Sequence, residues 1–235
     1  AMNANDAGQL WEEGKRAGRK IYVGCTLRFS ETLNLFRRHL ASIGSIHTVH
    51  VECESYLPDW RPSRPYRASY SARAAEGGVL RDLIHEIDYV GWIFGWPSAV
   101  YARIRNLGRL DISSEEICHL SLSLPKDGMA LISLDYLSRP PRRCIRARGE
   151  RGTLEWDGLS NAVTLAVEGE AVQSWTSRQT RDEMFLAQDM AFASAGRSEA
   201  DERLATAEDG LKALAVCDAA RMSSDEHREE RIEYS

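Results

Sequence analysis

The sequence is short of the signatures that identify most site chemistries. It has no CxxC pair, no HExxH, no aspartate-rich calcium loop and no Walker motif. It has no GxGxxG between a strand-like run and a helix; Gly14 and Gly18 sit within and after a helical stretch. These absences exclude the common zinc, calcium and phosphate-cradle motifs. Cysteine is sparse and odd in number: Cys25, Cys53, Cys118, Cys144 and Cys217. That count does not suit a disulfide framework, and reduced thiols in the core are expected, as in a cytoplasmic protein. No stretch approaches the roughly 20 apolar residues of a membrane-spanning helix. Residues 1–20 lack the apolar centre of a signal peptide. The opening Ala1-Met2 reads as a tag remnant before a start. A net charge of −5 gives no general attraction to nucleic acid.

What remains is ordinary for a folded chain of 235 residues, 43 % hydrophobic and 28 % charged. This is enough for one large domain with its own core. Residues 6–18 read as a helix, with Asp6 as N-cap and Gly18 as stop. Lys20 to Cys25 reads as a strand. Ser30 caps a second helix, Glu31 to Ala41, stopped by Ile43-Gly44. Ser45 to Tyr56 alternates as a strand, with His47, Val49, Val51 and Cys53 on one face and Thr48, His50, Glu52 and Glu54 on the other. Residues 57–76, rich in Pro, Arg and Tyr, read as a long functional loop. A helix from Gly78 to Phe94 follows.

Six strand-like runs come next: Val100 to Asn106, Glu116 to Leu124, Gly128 to Tyr136, Arg142 to Gly149, Gly152 to Trp156 and Ala162 to Glu168. Helices at about 181–195 and 205–221 close the chain before a polar tail. The fold class expected is α+β: an open, largely antiparallel sheet with helices on one face. The first helix and strand have no evident partner in that meander.

Asp82 and His85 stand three apart on the helix after Gly78. In an unbroken helix they project from the side opposite Leu80, Leu83 and Ile87, about 60° apart. A carboxylate there can hydrogen-bond the imidazole and fix its tautomer, which suits proton transfer. The same spacing suits a solvated face with an incidental pair. Asp88 borders the apolar side, as a buried anchor or an interfacial residue, and Glu86 points outward to solvent. His47 and His50 alternate across a strand, which sends them to opposite faces and argues against a shared metal. The Arg139–Arg151 basic stretch reads first as a solvated strand face, with a phosphate or carboxylate site as the other reading. Trp60, Arg61, Tyr66, Arg67 and Tyr70 crowd the long loop. They suit either a polar ligand, through ring stacking and arginine contacts, or packing of the loop on the sheet.

Several segments, in order, resemble the Gfo/Idh/MocA oxidoreductases: Val23-Gly24-Cys25-Thr26-Leu27-Arg28-Phe29-Ser30, Ile43-Gly44-Ser45-Ile46, Gly77 to Asp82 and His85 to Asp88. Ala147 to Glu155 and Thr206 to Leu211 extend the match. The resemblance implies a dihydrodipicolinate-reductase/glyceraldehyde-phosphate-dehydrogenase-like C-terminal domain over residues 26–222, with a sugar-type substrate in a cleft on its helical side. It implies His85 and Asp82 as catalytic residues, His85 being the acid/base for hydride transfer at a hydroxyl carbon. Arg28, Trp60, Tyr66 and Arg67 are the expected substrate-binding set. A homo-oligomer through the bare sheet face is expected, with no nucleic-acid or membrane partner.

The chain departs from that family in two respects. Only Leu83 and Ile84 separate Asp82 from His85, one residue fewer than usual, which turns the pair by about 100° relative to one another. The Rossmann strands and the lysine of the family's Glu-Lys-Pro motif are not in this sequence. Residues 1–25 then read as the last helix and strand of a Rossmann domain, left to reposition, fray or pair with another chain. Residues 223–235 read as a polar tail. NAD or NADP belongs to the intact parent, and the chain alone is expected to bind neither and to be inactive. The other reading is a stand-alone sugar-binding or dimerisation module.

Overall fold

The structure, a computed structural model, describes residue 1 and residues 3–196 and 200–234. Met2 of the expected tag remnant and Ser235 of the expected tail lie outside the described residues.

The chain begins with α1 (Ala4–Arg16) and β1 (Tyr22–Val23). The cap of α1 is Asn3, whose side chain accepts from the Asp6 backbone N–H, rather than Asp6 itself. α2 (Glu31–His39) starts at Ser30, whose hydroxyl accepts from Leu33 N–H at 3.2 Å as the cap motif requires. A 3₁₀ turn and Gly44, with φ +77°, then lead into β2 (Ile46–Glu54). Val49, Val51 and Cys53 are buried, as the alternation requires, whereas His47 on the same face is exposed.

The helix expected without a break from Gly78 to Phe94 is two helices, α3 (Val79–Asp82) and α4 (Ile84–Phe94). They are separated at Leu83, whose φ of −104° and ψ of 28° leave the α region. Gly78 enters α3 at φ +98°, and a Cβ there would collide with the Glu115 carboxylate, so only glycine fits.

The meander follows: β3 (Ala99–Arg105), β4 (Ile117–Ser123), β5 (Met129–Asp135), β6 (Arg142–Gly149), β7 (Gly152–Asp157) and β8 (Ala162–Val167). The tight β6–β7 turn brings Gly152 so near the Ala166 carbonyl that a side chain would clash. Beyond the six expected strands lies β9 (Gln173–Thr176). Then come α5 (Arg181–Ser194), β10 (Ala205–Thr206), α6 (Ala207–Glu226) and β11 (Glu230–Arg231).

Nine strands form one sheet in the order β11-β3-β4-β5-β2-β6-β7-β8-β9 among the described residues. Its pairs are antiparallel except β2–β5, where Val51 lies beside Ile132 in parallel register. β2 thus inserts between strands far away in sequence. Helices α2, α3, α4 and α6 cover one face and bury Leu33, Phe36, Leu80, Ile87 and Val216 against Val51, Leu120, Ile132 and Leu134. This is the expected α+β class. Across the other face, Tyr101, Ser121, Leu131, His50 and Arg146 stand side by side in register.

Both termini pack onto the domain. Of the alternatives for the first helix and strand, β1 is found repositioned within the chain: it pairs antiparallel with β10, Tyr22 opposite Thr206. α1 packs on α6, and its Ala4 N–H donates to Asp218 Oδ2 at 2.8 Å. The polar tail is folded as well. Ser223 and Ser224 are buried in α6, and their hydroxyls accept from the Ala102 and Ile104 backbone N–H at 2.9 and 3.0 Å. β11 then pairs with β3. These hydroxyls take up edge-strand donors that would otherwise lack partners, so a hydrophilic segment becomes part of the core.

Candidate functional site

A cleft of about 540 Å³ opens between the helices and the end of the sheet. Its lining includes Asp82, His85, Trp60, Arg61, Arg143 and Arg181. β2, the α3–α4 pair, β6 and the N-terminus of α5 therefore meet here, from four separate parts of the sequence.

His85 is partly exposed to this cleft, and its Nδ1 is buried with no hydrogen-bond partner. The bond from Asp82 that an unbroken helix allowed is absent. Instead Asp82 Oδ2 accepts from the Tyr136 hydroxyl at 2.7 Å. The reason is the break at Leu83, which removes Asp82 and His85 from a common helical wheel. Burial, with Asp82 alongside, holds the Tyr136 phenol far above its usual range. The Tyr70 phenol is also raised, first by loss of water and then by the Asp82 charge. Two phenols and a carboxylate thus form one cluster beside His85, and both phenols remain proton donors at neutral pH.

Glu86 corrects a second expectation. It is fully buried rather than solvated. Its Oε1 accepts from Arg143 Nε at 2.8 Å, while Oε2 is buried without a partner. Burial opposes the charge of Arg143, but Glu86 holds it and keeps the guanidinium above its ordinary value. The basic stretch is therefore divided. Arg143 is drawn into the interior and reaches the cleft, while Arg146 pairs with Glu155 across the open face at 2.6 Å. Alternation alone could not reveal this, because Glu86 and Arg143 are brought together only when α4 lies over β6.

The expected substrate-binding residues do not gather in one place. Trp60 lines the cleft, its indole N–H donating to Ser55 Oγ at 2.8 Å. Tyr66 lies in a neighbouring pocket of about 330 Å³ formed by the long loop, where its hydroxyl donates to the Leu110 carbonyl at 3.0 Å. Arg67 lines neither of these two pockets; it reaches the same carbonyl and Asp111. Arg28 is 2 % exposed. Its Nε and Nη2 donate to Asp88 at 3.0 and 2.7 Å, and Nη1 to Asp209 at 3.4 Å. Asp88 is therefore the buried anchor of α4. This arginine ties α4 to the start of α6 through two carboxylates, so it supports the cleft from behind.

His47 falls at an irregularity in the β2–β6 register while His50 lies beside Arg146, and no group of three or more potential metal ligands occurs among the described residues. Four of the five thiols are buried and all five are free. A dinucleotide cradle needs a strand, a glycine turn and a helix N-terminus aimed at the pyrophosphate. The short strand β1 leads instead through Gly24 into a 3₁₀ turn at Thr26–Phe29, so these residues do not fit that group.

Residues 40–155 match the model of the GFO/IDH/MocA C-terminal domain. No curated protein matches the chain. Several solved structures share its fold. An oxidoreductase from Agrobacterium radiobacter in complex with NAD+, L-tartaric acid and magnesium is 20 % identical over 99 % of this chain and 70 % of its own, with a TM-score of 0.80. An inositol dehydrogenase homolog from Azotobacter vinelandii, complexed with NADH and myo-inositol, is 14 % identical over 96 % of this chain and 68 % of its own, at 0.80. The WlbA dehydrogenase from Bordetella pertussis, in complex with NADH and UDP-GlcNAcA, is 20 % identical over 99 % of this chain and 70 % of its own, at 0.78. Residues 40–155 are therefore a GFO/IDH/MocA-type C-terminal domain, and the chain as a whole shares the fold of these oxidoreductase structures.

Proposed function

We propose that this chain is the substrate-binding and dimerisation part of an NAD(P)-dependent oxidoreductase that acts at a hydroxyl carbon of a sugar, a sugar nucleotide or a related compound. The single observation that carries this reading is the position of His85. His85 lines the cleft together with Asp82, which accepts from the Tyr136 hydroxyl, and with Trp60 and Arg61. An imidazole so placed accepts the proton of a bound hydroxyl, and Asp82 on the same lining can hold a second hydroxyl. An indole face beside polar donors is a familiar sugar platform. Structures of the same fold were solved with tartaric acid, myo-inositol and UDP-GlcNAcA, all hydroxyl-rich ligands.

A nicotinamide would supply the hydride chemistry in the intact parent. Residues 1–25 are read as the final helix and strand of the cofactor domain, and the chain alone as inactive and unable to bind NAD or NADP. The open sheet face is read as the homodimer surface. The neutral-pH titration of ¹⁵N-labelled chain with a panel of sugars, sugar acids and sugar nucleotides tests the reading. A ligand that shifts the His85 imidazole, and loses binding in His85→Ala, is the expected result. A panel in which no member perturbs His85 overturns it, and micromolar binding of NAD by this chain overturns the claim about the cofactor.

A further inference from the structure

The loop between β2 and α3 holds a pocket that the cleft does not need. It is about 330 Å³ in volume and is built within residues 57–71. Trp60 and Arg61 line both spaces, so pocket and cleft are contiguous. A single sugar ring held at His85 leaves this second space empty.

The loop is fixed in shape despite its length. Leu57 N–H donates to the Tyr136 carbonyl at 2.9 Å at one end. Ser114 Oγ donates to the Ser71 carbonyl at 2.6 Å at the other, and Tyr66 is pinned on Leu110 between them. Such anchors allow a loop to present a preformed site.

The chemistry of the lining is of two kinds. Tyr66 and Tyr70 offer aromatic surface, with Trp60 at the join to the cleft. Arg61 and Arg64 stand on the same rim, and neither guanidinium has an ion-pair or hydrogen-bond partner among the described residues. Other arginines of the same loop are paired: Arg67 reaches Asp111 and Arg73 reaches Glu76. Two unpaired guanidiniums three residues apart suit an anion with several oxygens. Aromatic rings beside them suit a planar base.

We infer that the loop pocket binds the nucleoside diphosphate half of a nucleotide-activated sugar, whose sugar ring extends past Trp60 and Arg61 to His85. Arg61 and Arg64 take the phosphates, and Tyr66 and Tyr70 flank the base. This inference rests on the proposed sugar site and narrows its substrate class.

Titration calorimetry of the intact chain tests it, with UDP, GDP, CDP, ADP and inorganic pyrophosphate as probes and a neutral monosaccharide as comparison. At least one nucleoside diphosphate is expected to bind saturably, more tightly than pyrophosphate, and less tightly as salt rises. The Arg61→Ala/Arg64→Ala double variant should weaken that binding tenfold or more with an unchanged melting temperature, since both side chains are exposed. Tyr70→Ala should weaken the nucleotides but not pyrophosphate. Absence of saturable binding up to millimolar concentration, or binding indifferent to the double substitution, overturns the inference. Pyrophosphate binding as well as the nucleotides overturns the aromatic half of it. A monosaccharide that perturbs His85 while no nucleoside diphosphate binds leaves the proposed function standing without this extension. Nucleotide binding with no sugar response at His85 does the reverse.

Discussion

Arg143 Nε donates to Glu86 Oε1 at 2.8 Å, and Glu86 has no exposed surface at all. A buried carboxylate with one partner is sensitive to losing it. Arg143→Met is expected to destabilise the fold by about 3–5 kcal/mol, because an unpaired charge stays in the interior. The double variant Arg143→Met/Glu86→Leu should recover most of that loss. Urea unfolding midpoints of the three proteins measure it. A double variant as unstable as the single one would show that packing, not charge pairing, sets the cost.

The Tyr136–Asp82 bond predicts a smaller, local effect. Tyr136→Phe removes one donor to a carboxylate and should cost about 1.5–3 kcal/mol. Asp82→Ala combined with it should add less than its separate cost, since both changes break the same contact. A double-mutant cycle gives the coupling, and strict additivity would mean the 2.7 Å contact contributes nothing.

Stability should fall on the alkaline side. Burial pushes the Cys217 thiol up to about 12, and burial also raises Cys25, Cys53 and Cys118. An unfolded thiol releases its proton near about 8.5. The folded state keeps protons there that the unfolded state gives up. The stabilisation is therefore complete below about pH 8.5 and declines as pH climbs toward the folded values. Melting temperatures from pH 7 to 11 should show that decline, shallower in Cys217→Ala. Equal slopes in the two proteins would remove the thiol from the explanation.

The open sheet face carries Tyr101, Met129 and Leu131, exposed by 39, 51 and 42 %. Charge placed amid them should separate a dimer built on that face. Light scattering of Leu131→Lys is expected to give the monomer mass where the unsubstituted chain gives twice that mass. Identical masses for both proteins would place any dimer elsewhere.

The cap of α5 gives a further check. Thr180 and Glu183 satisfy each other's backbone N–H groups, Thr180 N–H reaching Glu183 Oε2 at 2.7 Å. The helix buries none of its side chains fully; Met184, Ala187 and Ala191 pack around Phe29, and Gln188 accepts from the Thr26 hydroxyl. Thr180→Ala should cost about 0.5–2 kcal/mol and speed hydrogen exchange in the first turns of α5. Unchanged exchange there would show that the cap is dispensable.

Local rules made much of the fold legible. Alternation placed β2 and marked Val49, Val51 and Cys53 as its buried face. The β6 boundaries follow from the run Arg142 to Gly149, and Ser30 announces α2, because these features depend on neighbours in sequence. The site was legible only in part. His85 and Trp60 stand in one cleft, but Tyr66 occupies the adjoining pocket and Arg28 is an internal anchor. The regular spacing of the helix after Gly78 concealed its break at Leu83. That break depends on how α3 and α4 each pack onto the sheet, a contest of tertiary contacts that no helical wheel contains.

By itself the sequence determined the α+β class, the order of the meander and the chemical types available for a site, since periodicity and turn residues act over a few positions. Tertiary structure alone decided that β2 runs parallel to β5, that β1 closes on β10, that Glu86 goes inward to meet Arg143, and that Tyr136 rather than His85 takes Asp82. Each of those choices joins residues dozens of positions apart, and is made by which buried polar groups find partners once the helices settle on the sheet.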